Sequence, residues 1–151
     1  MSSITIRPVA APDLPAVLEM IKGLAAHHED TAAVTLSTLE RDVMGAAPWL
    51  TVLVAAQGKV LLGYTALCPM AQLQFGVRGM DLHHLFVSPQ ARGLGLSKQL
   101  IDASIAAAKD QGCRYMTVGT HPDNVTAQGI YLAAGFEPLD GIGPRFRIKF
   151  D

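Results

Sequence analysis

The chain has 151 residues, half of them hydrophobic and 17% charged, with a formal net charge of −1. That is enough apolar material for a single domain, residues 1–151, whose core needs neither metal nor disulfide staples. A near-neutral chain without a basic cluster disfavours nucleic acid as a partner, and no apolar run approaches the ~20 residues of a spanning helix, so no membrane segment is expected. No basic-then-apolar leader is visible, and Cys68 and Cys113 lie far apart outside any CxxC motif. Such cysteine usage points to a cytoplasmic protein with free thiols.

Ile4 to Pro8 alternates as a strand that Pro8 stops. Pro12 and Asp13 then open a helix whose apolar face is Leu14, Val17, Leu18, Ile21 and Leu24. Ser37 and Glu40 have capping-box spacing for a short second helix that Gly45 ends. Thr51–Ala55 and Val60–Leu67 read as strands around a Gln57-Gly58-Lys59 turn. Gly63, inside the second strand, signals a bulge or a close backbone approach. Asp81–Val87 is the next strand, ended by Pro89. A helix from about Ser97 to Gln111 follows, capped by Gly112, then a strand over Tyr115–Thr120. Asn124 opens a further helix that Gly135 closes, and Phe136 with the alternating tail Arg145–Phe150 is expected to complete the sheet. The order predicts an α/β fold with a mixed central sheet flanked by helices, antiparallel in its N-terminal part and with a parallel crossover late.

The strongest local signal is Leu85-Phe86-Val87-Ser88-Pro89-Gln90-Ala91-Arg92-Gly93-Leu94-Gly95-Leu96-Ser97-Lys98. A strand runs into a glycine-rich turn that becomes the first turn of a helix. The first amides of a helix lack internal partners, and the helix N-terminus carries partial positive charge. Glycines let a ligand approach those amides, so the loop is suited to a phosphate or pyrophosphate. It is not a P-loop, which needs GxxxxGK[ST], and Lys98 stands where a dinucleotide fingerprint needs glycine.

Taken with Asn124-x-x-Ala127-x-x-x-Tyr131-x-x-x-Gly135-Phe136, this segment resembles the GCN5-related N-acetyltransferase (GNAT) family. The family's acetyl-CoA signature is Arg or Gln, two residues, Gly, one residue, then Gly or Ala, after a hydrophobic strand and a proline. Arg92, Gly95 and Ser97 occupy those positions, with Ser97 departing from the small-residue consensus. Gln90, Gly93 and Gly95 also satisfy the formula, but the Arg92 register has the family's distance from Val87 and Pro89. Ile6-Arg7-Pro8 and the following helix look like the family's opening, so the resemblance covers nearly the whole chain. Within the family, Ile21-Lys22-Gly23-Leu24-Ala25 and the short last strand look similar to the diamine/thialysine acetyltransferase branch, although His27 and His28 replace that branch's aromatic and acidic pair.

The resemblance implies a GNAT fold with splayed central strands, acetyl-CoA as donor and a direct attack by an amine in a ternary complex. Arg92, Gly93, Leu94, Gly95, Leu96, Ser97 and Lys98 would take the pyrophosphate. The main chain of Leu85, Phe86 and Val87 would pair with the pantetheine arm, with the Val87 amide polarising the thioester. Asn124 would contact the cofactor, and Tyr131 would protonate the departing thiolate while also lying against the cofactor. His83 is the leading candidate for the base that deprotonates the amine, with His84, Asp81 or water as alternatives. Strand alternation sets Asp81 and His83 on one face and His84 on the other. His27, His28, Glu29 and Asp81 are the candidate acceptor-binding residues.

The five histidines suggest a metal, but adjacent pairs cannot easily share one ion and no HExxH or Cys-rich spacing exists, so no metal is expected. The expected acceptor is a small-molecule primary amine, polyamine-like or amino-acid-like, with an aminoglycoside-like amine or a peptide N-terminus still open. A non-catalytic acetyl-CoA sensor is the alternative of a different class. A homodimer formed through the late strands is expected by resemblance.

Overall fold

The computed structural model describes residues 3–140 and 143–150. Its sheet contains β1 (Ile4–Pro8), β2 (Thr51–Gln57), β3 (Val60–Gln72), β4 (Val77–Val87) and β5 (Cys113–Val118), adjacent in chain order. β1 to β4 pair antiparallel and β5 runs parallel to β4. The helices are α1 (Leu14–His27), α2 (Leu36–Leu39), α3 (Leu96–Asp110) and α4 (Val125–Ala133). This is the mixed sheet expected from the chain order, with α3 supplying the crossover from β4 to β5.

Each sheet face buries a different helix set. Leu14, Val17 and Met20 of α1 pack with Leu39, Val43, Val52, Val54 and Tyr64. Leu96, Leu100, Ile101 and Ala108 of α3 pack with Ala55, Leu62, Leu67, Met80 and Leu82 in two clusters on the other side. Within that second interface Thr65 and Ser104, both fully buried, satisfy each other through a 2.9 Å hydroxyl contact. The chain's entry is fastened by Arg7, which donates to both oxygens of Asp13 at 2.7 and 3.0 Å, while the Ala10 amide also donates to Asp13. Those partners hold the Asp13 carboxyl below the usual carboxylate range, the Arg7 hydrogen bond first. Among the described residues no helix is long and apolar enough to cross a membrane.

Several local expectations are corrected. The second helix is capped by Thr35, whose hydroxyl accepts from the Thr38 amide at 3.1 Å, rather than by Ser37. It continues as a π-helical turn over Glu40–Met44 before Gly45. β3 and β4 extend beyond their expected ends as a long hairpin to Gln72 and from Val77. The expected closing strand over residues 145–150 is not in the sheet: Phe146, Ile148 and Phe150 are 94%, 78% and 90% exposed. Its alternation describes a face suited to burial, but a strand also needs a neighbour for its main-chain groups.

Gly63 meets its expectation by close approach. A Cβ there would lie 2.5 Å from the Phe86 carbonyl oxygen, so only glycine lets β3 pass that point of β4. The β2–β3 register also shifts beside it, with Leu62 as the extra residue between Gly63 and Leu61.

Candidate active site

β4 and β5 stay paired only as far as Leu82 and Val118, whereas β4 continues along β3 to Val87. Residues 83–87 therefore present one edge to β3 and the other to a cleft of about 1290 Å³. At the point of separation β4 bulges. Ala66 lies opposite His84 and Leu67 opposite Leu82, leaving His83 as the inserted residue. A bulge interrupts side-chain alternation. The expectation that His83 and His84 occupy opposite faces is thereby overturned: their rings stack, centroids 4.3 Å apart and planes 12° from parallel.

Beyond the bulge, the main chain is set for an added strand. The Ser88 amide donates to the Leu62 carbonyl at 2.8 Å, towards β3. In an antiparallel ladder alternate residues direct both backbone groups the same way, so Phe86 also faces β3 while Leu85 and Val87 face the cleft. Phe86 packs on the α1 side beside Tyr64, and Leu85 and Val87 pack against the α3 side.

The glycine loop closes one end of this cleft. Gly93 and Gly95 have φ of 84° and 74°, the left-handed region that β-carbons resist. Gly95 is the N-cap of α3, which begins at Leu96 rather than Ser97. The Gln99 amide donates back to the Gly95 carbonyl at 3.3 Å as the first intrahelical bond, so the amides of Leu96, Ser97 and Lys98 precede the ladder. Arg92, Gly93, Gly95, Leu96 and Ser97 line the cleft. Leu94 is not part of that lining, and the Lys98 ammonium is turned to Asp102 at 2.9 Å on the exposed side of α3.

α4 supplies the opposite wall with Asn124 and Tyr131. The Asn124 side chain accepts from the Ala127 amide at 3.0 Å, the N-cap that its position predicts. Tyr131 packs edge-on against Phe136, and burial pushes its phenol above the ordinary value. It remains a proton donor at neutral pH.

His27, His28, His83, His84 and Asp30 also line the cleft, with the His27 and His28 rings edge-on at 5.4 Å. Glu29 does not line it, and its φ of 58° marks a tight left-handed turn after α1. Asp81 is also outside the lining. It accepts from the Thr117 hydroxyl at 2.6 Å across the β4–β5 pair.

Sequence reasoning missed Tyr64. Its hydroxyl is 3.0 Å from His84 Nδ1, and the residue is 1% exposed. Burial raises the Tyr64 phenol well above its ordinary value, so the phenol stays protonated. With the hydroxyl buried against His84, the arrangement that leaves no buried O–H unpaired has the phenol donating a hydrogen bond to Nδ1. Neutral His84 then carries its own proton on Nε2. Burial, followed by the nearby His83 and His28, pushes His84 down to about 4. At neutral pH His84 is therefore uncharged with its Nδ1 engaged by Tyr64, whereas His83 on the same stack is exposed. The only signal for Tyr64 was an aromatic residue on a strand pairing with β4, which specifies no partner.

The sequence matches the Acetyltransferase (GNAT) family over residues 20–136. Rat N-acetyltransferase 8B (Rattus norvegicus) is 32% identical over 73% of this chain, a match that spans 47% of that protein's length. Thialysine N-epsilon-acetyltransferase of Bos taurus is 26% identical, covering 92% of this chain and 87% of that one. The L-methionine sulfoximine/L-methionine sulfone acetyltransferase of Pseudomonas paraeruginosa is 30% identical, covering 98% and 88%. Among solved structures, an aminoglycoside N-acetyltransferase in complex with CoA superposes with a TM-score of 0.80 at 25% identity, covering 100% of this chain and 97% of that chain. A strand pair that parts at a bulge, a glycine loop at a helix N-terminus and a tyrosine on the facing helix thus occur in a chain that belongs to the acetyltransferase (GNAT) family.

Proposed function

We propose that this chain binds acetyl-CoA in the cleft between β4 and β5 and transfers the acetyl group to the primary amine of a small molecule. The observation that carries this reading is the parting of β4 from β5 at Leu82 and Val118, with the glycine loop and Tyr131 on the walls of the same opening. A relative solved with CoA supports the choice of donor.

The amides at the start of α3, with Arg92, take the pyrophosphate. Leu85 and Val87 offer main-chain groups to the pantetheine arm as a neighbouring strand would. The Val87 amide polarises the thioester carbonyl, an interaction of about 3 kcal/mol in the transition state for one such donor. The amine nitrogen, its proton taken by His83, attacks the carbonyl carbon. The tetrahedral adduct collapses with cleavage of the C–S bond, the leaving thiolate takes a proton from Tyr131, and the surplus proton on the acylated nitrogen is released to restore the tyrosine. An N-acetylated amine and free CoA result. Asn124 orients the start of α4 against the donor, and His27 and His28 contact the acceptor.

Relatives named for thialysine and for methionine sulfoximine support an amino-acid-like acceptor. The exposed apolar side chains of Phe146, Ile148 and Phe150 support a homodimer covering that tail, and light scattering measures it. Free Cys68 and Cys113 support a cytoplasmic setting. The test of the main reading is thiol release from acetyl-CoA with a mixed amine panel, products identified by mass spectrometry. Amine-dependent release is expected; tight acetyl-CoA binding without release would make the chain a sensor instead.

A further inference from the structure

Behind the stacked histidines lies a second, smaller cavity of about 170 Å³ between α1, α2 and the sheet. His83, His84, Ile21 and Val34 line both it and the main cleft, so the histidine pair stands at the junction of the two. Its remaining wall is mostly aliphatic, with Leu39, Val43, Val52 and Ala66 buried around it.

The polar groups on that wall are already engaged. The Asp42 carboxylate accepts from Arg41 Nε at 2.8 Å and from Arg41 Nη2 at 2.9 Å. The Thr38 hydroxyl donates to the Thr35 carbonyl at 3.0 Å. The Tyr64 hydroxyl is bonded to His84. The carboxylate on this wall is already neutralised by Arg41, so a second ammonium entering the cavity would recover little of the hydration it loses. At about 30 Å³ for each water, the space equals roughly six waters, which suits a short side chain and not an extended chain.

We propose that this cavity is the acceptor's side-chain subsite and takes a short uncharged aliphatic or thioether group, so that the acceptor is an amino-acid-like or alkyl amine and not a polycation. The reacting amine lies in the cleft beside His83 while the apolar group passes the histidine pair. This deepens the transferase reading and rests on it for the position of the amine.

The test compares isopentylamine, L-leucine and L-methionine with putrescine and spermidine. Val43→Phe and Ala66→Val each fill the cavity from positions that do not themselves line the donor cleft, and a melting curve verifies that each variant is folded. A hydrophobic pocket separates ligands differing by one methylene about 10- to 200-fold. The apolar amines are expected to exceed the polycations about tenfold or more in kcat/KM, and a folded variant is expected to raise their KM about tenfold with unchanged acetyl-CoA affinity. Preference for putrescine or spermidine, or an unchanged KM in both folded variants, overturns the subsite. If no amine is acetylated, calorimetric binding of isopentylamine separates the two readings. Binding that Ala66→Val or Val43→Phe weakens keeps the subsite and removes the transferase; no binding to the unaltered protein overturns the subsite.

Discussion

The imidazoles of His83 and His84 stack 4.3 Å apart because β4 carries an inserted residue opposite the step from Ala66 to Leu67. The stack gives two chemically identical side chains different surroundings. His84 is bonded to Tyr64 and held neutral, while His83 is exposed.

His83→Gln should lower kcat/KM by about 10² or more, the usual contribution of a positioned base. His84→Gln should lower it far less, since the His84 Nδ1 is already engaged by the Tyr64 hydroxyl. Steady-state kinetics of both variants check this, and a loss below about threefold in His83→Gln would assign proton removal to water.

Tyr64→Phe should cost about 1 kcal/mol in urea unfolding at neutral pH, because it strands His84 Nδ1 without its donor. His84 also makes stability depend on pH. Folding lowers its value from 6.5 to about 4, so the folded protein binds that proton less readily than the unfolded chain. The stabilisation is complete above about pH 6.5 and drains away as pH falls towards 4. Unfolding curves between those limits should steepen in the protein and flatten in His84→Gln. Nitrogen shifts of the His84 ring should report an Nε2–H tautomer, lost in Tyr64→Phe.

Tyr131→Phe keeps the ring packed against Phe136 and removes the proton donor. A fall in kcat of about 10² with unchanged acetyl-CoA affinity is expected for lost general acid catalysis. Stopped-flow separation of binding from turnover measures it, and turnover within a few-fold of the original would assign the thiolate's stabilisation elsewhere.

Gly95→Asp should abolish acetyl-CoA binding. The left-handed φ of 74° costs a residue with a β-carbon about 1–2 kcal/mol, and the carboxylate would repel the pyrophosphate that the loop is proposed to take. Gly95→Asn tolerates the backbone better without the charge and should bind with intermediate affinity. Calorimetric titration of both distinguishes backbone strain from repulsion, and normal affinity in Gly95→Asp would remove the loop from the binding site.

The features legible in the sequence are those decided within a few residues. The glycine turn into α3, the Asn124 cap and the apolar faces of α1 and α3 rest on local dihedrals, caps and period, which the chain carries wherever it folds. Gly63 belongs here in part, since glycine inside a strand announces a close approach before its neighbour, Phe86, is known.

The rest depended on what the sheet brought opposite each residue. A bulge is a mismatch between two strands, so β4 alone shows no sign that His83 and His84 would turn to the same side. The Tyr64–His84 bond joins residues 20 positions apart. The small cavity exists only where α1, α2 and the sheet meet, and the tail's alternation cannot supply the neighbour that would make it a strand. Local chemistry in the sequence determined the glycine turn into α3 and, by resemblance, membership of an acetyltransferase family. Strand register and layer packing decided which histidine is tied to Tyr64 and which is exposed, because a side chain's burial and partners are set by residues distant in the chain.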